Sequence, residues 1–383
     1  MARTAYLLTP VSLFEVSRVN GKSLFWNVGL PLARPAIVAG LALVLMETLS
    51  DFGTVEFFAI ETLTLGIFNV WLGMNSLTAA AQIATVGFLF VIVLLTVEVL
   101  SRARRKFVDT TRRSASLSPE KIGGWRAVVF MAVCLAPVVI GFVVPVAVLL
   151  SFVLQGYSVA LDATVIEAAG NSIFIGLAAA VLVIATAALI GLISMFEKGV
   201  WLPRFSALAS FGYAFPGTIL AIGVVTAGGA VDRGIAELFD LALGVSYEGW
   251  LTSGVGLIIF ACVVRFQAVG YGAVMTGLGR VSPSMLEASR TLGCGFAGSI
   301  TRVMLPSIRL SCIAGALLVF VDVMKELPMS LLLRSFNFET LATFVYQFAK
   351  DEMLEEAAFP ALMIVISGLL PVILMNHMLR RTD

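Results

Sequence analysis

Apolar runs recur along the chain at 36–58, 78–100, 126–154, 170–195, 205–230, 250–274, 307–325 and 358–378. Each is close to the length, about 20 residues, at which a helix crosses roughly 30 Å of hydrocarbon. Gly, Pro and charged residues interrupt the run at 205–230 and shorten the one at 307–325. The pattern predicts an all-α polytopic membrane protein with about eight transmembrane helices. Pro137, Pro145, Pro216 and Pro371 fall inside apolar runs, where each removes a backbone donor and predicts a kink. The string Tyr213-Ala-Phe-Pro216-Gly217 is the best candidate for a bend near a pathway, with a packing kink as the alternative.

Charge orients these spans. The segment from Ser101 to Arg126, SRARRKFVDTTRRSASLSPEKIGGWR, is strongly basic and is predicted cytoplasmic. Alternation then places 156–168, 231–249 and 326–357 outside, and these loops are net acidic. Glu197-Lys198, Arg204, the stretch beginning at Ser282 and the tail Arg380-Arg381 fall inside. Both termini are expected in the cytoplasm.

The chain also repeats itself. LPLARPAIVAGLALVLMETLSDFG, from Leu30, aligns with LPSIRLSCIAGALLVFVDVMKELP, from Leu305. Arg34 falls on Arg309, Gly40 on Gly315, Glu47 on Asp322 and Asp51 on Glu326. After a shift of three, Glu61-Thr62-Leu63 falls on Glu339-Thr340-Leu341. An even number of spans separates the copies, so the repeat is parallel rather than inverted. The expected division is a cytoplasmic segment at 1–34, two closing helices of an incomplete first unit at 35–101, a basic linker at 102–125 and a complete six-helix unit at 126–383. On this count about four spans precede the chain, and it reads as N-terminally truncated or as one part of a split protein.

Between two apolar runs lies a polar interruption, Ser282 to Pro306: SPSMLEASRTLGCGFAGSITRVMLP. Ser284 followed by Glu287 fits a capping box, and Gly293 suits the left-handed position past a helix end. A helix this short is unstable alone. It carries Met285, Leu286 and Leu292 beside Glu287 and Arg290, so it either docks into a partner or lies on the lipid surface.

Composition narrows the class. A chain 59% hydrophobic and 13% charged, with mean hydropathy +1.01, is not an ordinary soluble domain. A net charge of +1 gives no sign of nucleic-acid binding. The cysteines, Cys134, Cys262, Cys294 and Cys312, have no paired spacing. With His377 as the one histidine, no transition-metal site is predicted. The first residues lack the n-region and apolar core of a secretory leader. No GxxxxGK[ST] phosphate loop occurs, so no ATP-hydrolysing site is predicted in this chain.

Charges at membrane depth are candidate pathway groups: Asp322, Glu326, Glu47 and Asp51. Asp322 lies 16 residues past Pro306, about 24 Å along a helix. The alternative is structural, with Asp322 pairing Lys325 at i+3 and Glu326 sitting in the outer interface. Arg265 is read as snorkelling toward the cytoplasmic surface rather than as a gating contact. The segment 326–357 is long and partly apolar, and either dips back toward the membrane or rests on it.

Glu287-Ala288-Ser289, then Gly293, then Leu305-Pro306 resembles the EAA loop of ABC importer permeases, with Ser289 in place of the second Ala. The strings MKELP, from Met324, and SDFGTVEFF, from Ser50, resemble the fused two-unit permeases of the ferric-iron uptake type. The resemblance implies a coupling helix that docks on a cytoplasmic ATPase dimer through Glu287, Ala288, Ser289, Leu292, Gly293 and Pro306. A second loop, begun by Glu15 with Gly21 as its glycine, is degenerate, because Gly21 to Pro31 is three residues shorter than Gly293 to Pro306. It further implies ATP bound on the partner subunit, no cofactor on this chain, an extracytoplasmic solute-binding protein, contact with lipid, and a separately encoded N-terminal half. The expected role is a non-enzymatic permease subunit in the bacterial cytoplasmic membrane, importing ferric iron. Thiamine, polyamine or phosphonate import, an ion-driven secondary transporter and a non-transporting fragment remain open alternatives.

Overall fold

The computed structural model describes residues 25–103, 122–158, 162–196, 212–243 and 254–380. Glu15, Gly21 and nearly all of the basic linker lie outside the described residues. Helices dominate, and no strand occurs among the described residues. In chain order they are α1 (Leu30–Ser50), α2 (Gly53–Phe57), α3 (Leu63–Phe68), α4 (Leu77–Ala103), α5 (Gly124–Val138), α6 (Val144–Leu154), α7 (Ala163–Phe196) and α8 (Gly217–Leu243). There follow α9 (Gly256–Leu278), α10 (Pro283–Thr291), α11 (Phe296–Ser299), α12 (Leu305–Met324), α13 (Pro328–Leu333), α14 (Leu341–Lys350) and α15 (Ala358–Arg380). π-helical turns join α5 to α6 and α11 to α12, so Gly124–Leu154 and Phe296–Met324 each run as one rod.

Five helices among the described residues are long and apolar enough to cross a membrane: Gly124–Leu154, Ala163–Met195, Gly217–Leu241, Gly256–Leu278 and Phe296–Met324. Leu63–Gly73, Leu77–Val93 and Ala358–Leu374 are shorter apolar helices. The protein is a multi-pass, all-α membrane protein. The fifth sequence run is displaced. Its helix begins at Gly217, after a 3-10 turn at Gly212–Ala214, and continues to Leu243. Pro216 therefore precedes a helix rather than kinking one, because a residue without an amide is best placed where the first turn has no donor to lose.

The chain forms two compact units. The first comprises the described residues through Ser50 with 86–145. No residue of Gly124–Leu154 is buried, and Trp125 and Ile140 are among its most exposed side chains. The second unit, 51–85 with 146–383, holds the described core.

Within that second unit, α7, α9 and α12 pack most extensively on one another. Small residues make the approach. A Cβ on Gly315 of α12 would lie 2.6 Å from Ala273 Cβ on α9, and one on Gly270 would lie 2.4 Å from Val183 Cγ1 on α7. In lipid no hydrophobic force draws apolar helices together, so close van der Waals contact at small residues does so. Around this trio Ile175, Val183, Ile258, Phe266, Val319 and Met329 form the main core. At the entrance to α7, Asp162 Oδ1 accepts from Thr164 N (3.0 Å) and Val165 N (3.0 Å). Those amides and the Thr164 hydroxyl hold its carboxyl below the usual range.

The segment 326–357 turns inward. All six residues of α13 are buried, packed against α8 and α9. α14 is tied to α7 through Leu341 N donating to Ser172 Oγ (2.7 Å) and Asn171 Nδ2 donating to the Glu339 carbonyl (2.9 Å). The first copy of the repeat has the same local order: a π-turn before Leu30, a long helix, a short one, then a helix capped by threonine. Thr62 Oγ1 accepts from Leu65 N at 3.3 Å, as Thr340 Oγ1 accepts from Thr343 N at 3.3 Å.

The small-residue contact has a direct test. Gly315→Ala is expected to lower the melting temperature in detergent, at a cost of about 1–3 kcal/mol for overpacking. Gly223→Ala, where nothing lies within 4 Å of the added carbon, is expected to leave it unchanged or slightly raised.

Candidate functional site

Helix α10 is set by its two ends. Ser282 is the N-cap, its Oγ accepting from Met285 N at 3.4 Å and meeting Ser284 Oγ at 2.8 Å. The sequence pattern placed a capping box at Ser284 and Glu287; the cap sits two residues earlier. Pro283 explains the shift, since proline favours the first helical position and leaves the residue before it as cap. At the other end Gly293 has φ +85°. Gly293 N donates to the Arg290 carbonyl and Cys294 N to the Ser289 carbonyl, both at 3.0 Å. These two bonds form a Schellman motif, which stops the helix where the left-handed glycine was expected.

The two faces of α10 differ. Leu286 packs on a cluster of Val274, Leu278, Val281, Met304 and Ile308. Ser289 is buried, bonding Ser299 Oγ at 2.9 Å and the Leu286 carbonyl at 2.8 Å. Met285, Glu287, Ala288, Arg290 and Leu292 face out, with Leu292 84% exposed. Met285, Ala288 and Leu292 follow i, i+3, i+7 spacing and form one stripe. Pro306 is exposed in the first turn of α12.

The charged candidates take separate roles. Asp322 pairs with Lys325 at 3.2 Å, as the i+3 spacing indicated. Asp51 Oδ1 accepts from Thr54 N at 3.2 Å and caps the start of α2. Glu47 is exposed on α1. Glu326 does not sit in an interface: it is 6% exposed, and its Oε2 accepts from Arg265 Nη1 at 2.8 Å. Arg265 is 5% exposed and does not snorkel. α9 starts at Gly256 rather than near Trp250, which puts Arg265 nine residues, about 14 Å, inside the helix. Its guanidinium carbon also lies 5.5 Å from the Phe266 ring centroid. Glu326 Oε1 accepts from Met329 N at 3.2 Å, so one carboxylate both pairs the arginine and caps α13. Gly217, opening α8, leaves space for both: a Cβ there would lie 2.4 Å from Arg265 Nη1 and 2.8 Å from Glu326 Oε1.

A second long-range contact joins Tyr346 and Glu56. The phenol donates to Glu56 Oε2 at 2.6 Å, and the ring lies 5.7 Å from that of Phe52. Burial, with the neighbouring carboxylate, pushes the phenol well above its ordinary value. Beside this pair is a cavity of about 370 Å³ lined also by Lys350 and Glu352. Another, of about 540 Å³, is lined by Glu167, Asn171, Arg334, Phe336 and Glu339. Arg334 and Glu339 form an ion pair there. No cluster of His, Cys, Asp and Glu able to hold a metal occurs among the described residues.

Sequence reasoning missed the Arg265–Glu326 and Tyr346–Glu56 contacts. One available signal was the cost of an arginine inside an apolar run, which demands a nearby acid.

This arrangement defines a polytopic, all-α membrane protein. The structure resembles a bacterial alginate ABC transporter solved in complex with an alginate pentasaccharide-bound periplasmic protein, with TM-score 0.50 and 15% identity over 67% of this chain and 96% of that one. A second structure, of a bacterial ABC transporter involved in the import of the acidic polysaccharide alginate, matches over the same shares at TM-score 0.51 and 15% identity. The chain therefore has the fold of an ABC-transporter permease. In sequence it is 25% identical over 384 residues to the Fe(3+)-transport system permease protein FbpB 2 of Haemophilus influenzae, covering 95% of this chain and 70% of that protein. No family model matches the chain.

The ion pair yields a stability test. Arg265→Met leaves Glu326 buried without its cation and is expected to cost about 3–5 kcal/mol. Arg265→Met with Glu326→Met is expected to recover most of that loss, read as melting temperature in detergent.

Proposed function

We propose that this chain is the membrane-spanning permease subunit of an ATP-driven importer in a bacterial cytoplasmic membrane. The observation that carries the reading is the outward face of α10: a capped short helix whose Met285, Ala288 and Leu292 stripe has no cover within the described residues. Its inner face is anchored by Leu286 and the Ser289–Ser299 bond, so a push on the outer face is transmitted to α9 and α12. Glu287, Ala288 and Leu292 make the contact with the ATPase. Ser289 supports it from within, and Gly293 fixes where the helix ends. ATP is bound and hydrolysed by a separate ATPase dimer, in keeping with the lack of a phosphate loop in this sequence. The free energy reaches the bundle as a coupling between sites.

The cargo is ferric iron, delivered by an extracytoplasmic solute-binding protein. The similarity to the Fe(3+)-transport permease over 95% of this chain supports that choice, as do the MKELP and SDFGTVEFF strings. One observation favours a different reading. The buried Arg265–Glu326 pair is the type of group an ion-driven carrier uses. Uptake into proteoliposomes under a proton gradient, with no ATPase present, separates the two.

Co-purification with the cognate ATPase tests the main reading. Glu287→Ala with Leu292→Ala is expected to weaken ATPase association by about tenfold or more. Ser289→Ala, which alters only the inner face, is expected to retain it. Equal recovery of the ATPase with all three proteins overturns the assignment of this face.

A further inference from the structure

We propose that α13 is a gate inserted between α8 and α9, and that the Arg265–Glu326 ion pair is the latch that holds it shut. The role in transport rests on the importer reading; the movement of α13 does not.

Four observations converge on it. First, α13 is six residues long and every one is buried, though no helix this short is stable by itself. Its position depends on what holds it. Second, Met329, Leu331, Leu332 and Leu333 contribute to the same core cluster as Ala221 and Val224 of α8 and Ile258, Ala261 and Cys262 of α9. Withdrawing α13 therefore opens the space between two membrane-spanning helices. Third, the polar tie between α13 and α9 runs through one carboxylate. Glu326 Oε2 takes Arg265 Nη1 at 2.8 Å and Oε1 takes Met329 N at 3.2 Å. Cutting Glu326 from Arg265 frees the start of α13 in the same step. Fourth, the seam is polar where a permanent core would be apolar. Next to Gly217, Thr218 is buried, as are Arg265 and Glu326. A buried ion pair is biased toward opening, since its desolvation is reversed by hydration.

These features describe two arrangements close in energy, as a gate requires. In the closed one, packing of four apolar side chains and one charge pair offset the cost of the dry polar groups. In the open one, water solvates Arg265, Glu326 and Thr218, and α13 leaves the seam. Packing of α10 against the last turns of α9 and the first turns of α12 supplies a physical path from the proposed ATPase face to the helix that carries Arg265.

The chain carries its own reporter. Cys262 lies three residues before Arg265 on α9, is fully buried, and belongs to the cluster that α13 covers. In the full chain, with Cys134, Cys294 and Cys312 replaced by alanine, the rate at which a water-soluble methanethiosulfonate reagent modifies Cys262 reads the opening of the seam. Glu326→Gln is expected to raise that rate by at least about tenfold. Val183→Ala, a core truncation on α7 away from the latch, is expected to leave it within about twofold, although it lowers overall stability. An unchanged rate in Glu326→Gln, or an equal acceleration in Val183→Ala, overturns the latch. Should Glu326→Gln yield no folded protein, Glu326→Asp keeps the charge, shortens its reach and carries the same expectation. In the assembled complex, ATP with the loaded binding protein is expected to accelerate labelling over the resting state. No acceleration in a complex that hydrolyses ATP overturns the gate, whereas failure of the ATPase to bind bears on the importer reading and leaves the Glu326→Gln comparison standing.

Discussion

An arginine and a glutamate facing each other in an apolar protein interior set the terms for the packing around them. Each ion loses several kcal/mol of hydration on burial, and their attraction offsets this only with good geometry and filled lone pairs. Here Arg265 meets one oxygen of Glu326 at 2.8 Å, while the other oxygen takes a backbone amide. The neighbouring backbone must come close enough to exclude water, and Gly217 allows it by having no side chain to collide with either ion. α8, α9 and α13 are thus bound to one electrostatic solution. None of the three can shift far unless water reaches the charges that the shift uncovers.

The helices that frame this pair meet by a different principle. α7, α9 and α12 touch through Gly270, Ala273 and Gly315, where close backbone approach replaces the hydrophobic drive that lipid does not provide. Such an interface is rigid, since any added carbon collides with a neighbour. Next to it, the α13 seam is held by side-chain packing and a charge pair, both of which have an alternative in water. A rigid three-helix frame beside a hydratable seam is a physical basis for motion that is local to one side of a bundle. α10 is anchored to the rigid part, through Leu286 on Leu278 and Ile308, so force applied at its outer stripe enters the frame rather than being lost in a loop.

Much of this was legible in the chain. The apolar runs marked long helices that the structure shows, because a membrane span must be apolar for about 20 residues whatever it packs against. Gly293 announced the end of α10, since few residues other than glycine accept its φ of +85°. The start of α10 and of α8 were misjudged for one reason. The cap of α10 was placed after Pro283, at Ser284, and Pro216 was read as a kink inside a span, whereas proline at a helix start leaves the cap upstream of it or precedes the first turn. The deeper failures concern distance. Arg265 and Glu326 lie 61 residues apart, and Tyr346 and Glu56 lie 290 apart. Local periodicity carries no information about such pairs. It also hid the fate of α13, whose segment read as dipping back toward the membrane or resting on it, while the structure buries all six of its residues.

The repeat shows how one local rule serves two ends. In each copy a long helix stops and a short one begins within a few residues, which leaves amide donors at the start of the short helix without partners. Both copies answer with an acid three residues upstream: Asp51 accepts from Thr54 N, and Glu326 accepts from Met329 N. The aligned positions share this capping duty, which local geometry imposes. The second duty depends on length. Asp51 is one methylene shorter, and the bond it makes is a local cap. Glu326 reaches far enough to cap with Oε1 and still place Oε2 on Arg265. Asp51 thus starts a short helix, while Glu326 starts one and also ties it to a buried cation. The cap is common to both copies, and the tie to a second membrane-spanning helix is made by Glu326 through Arg265 of α9.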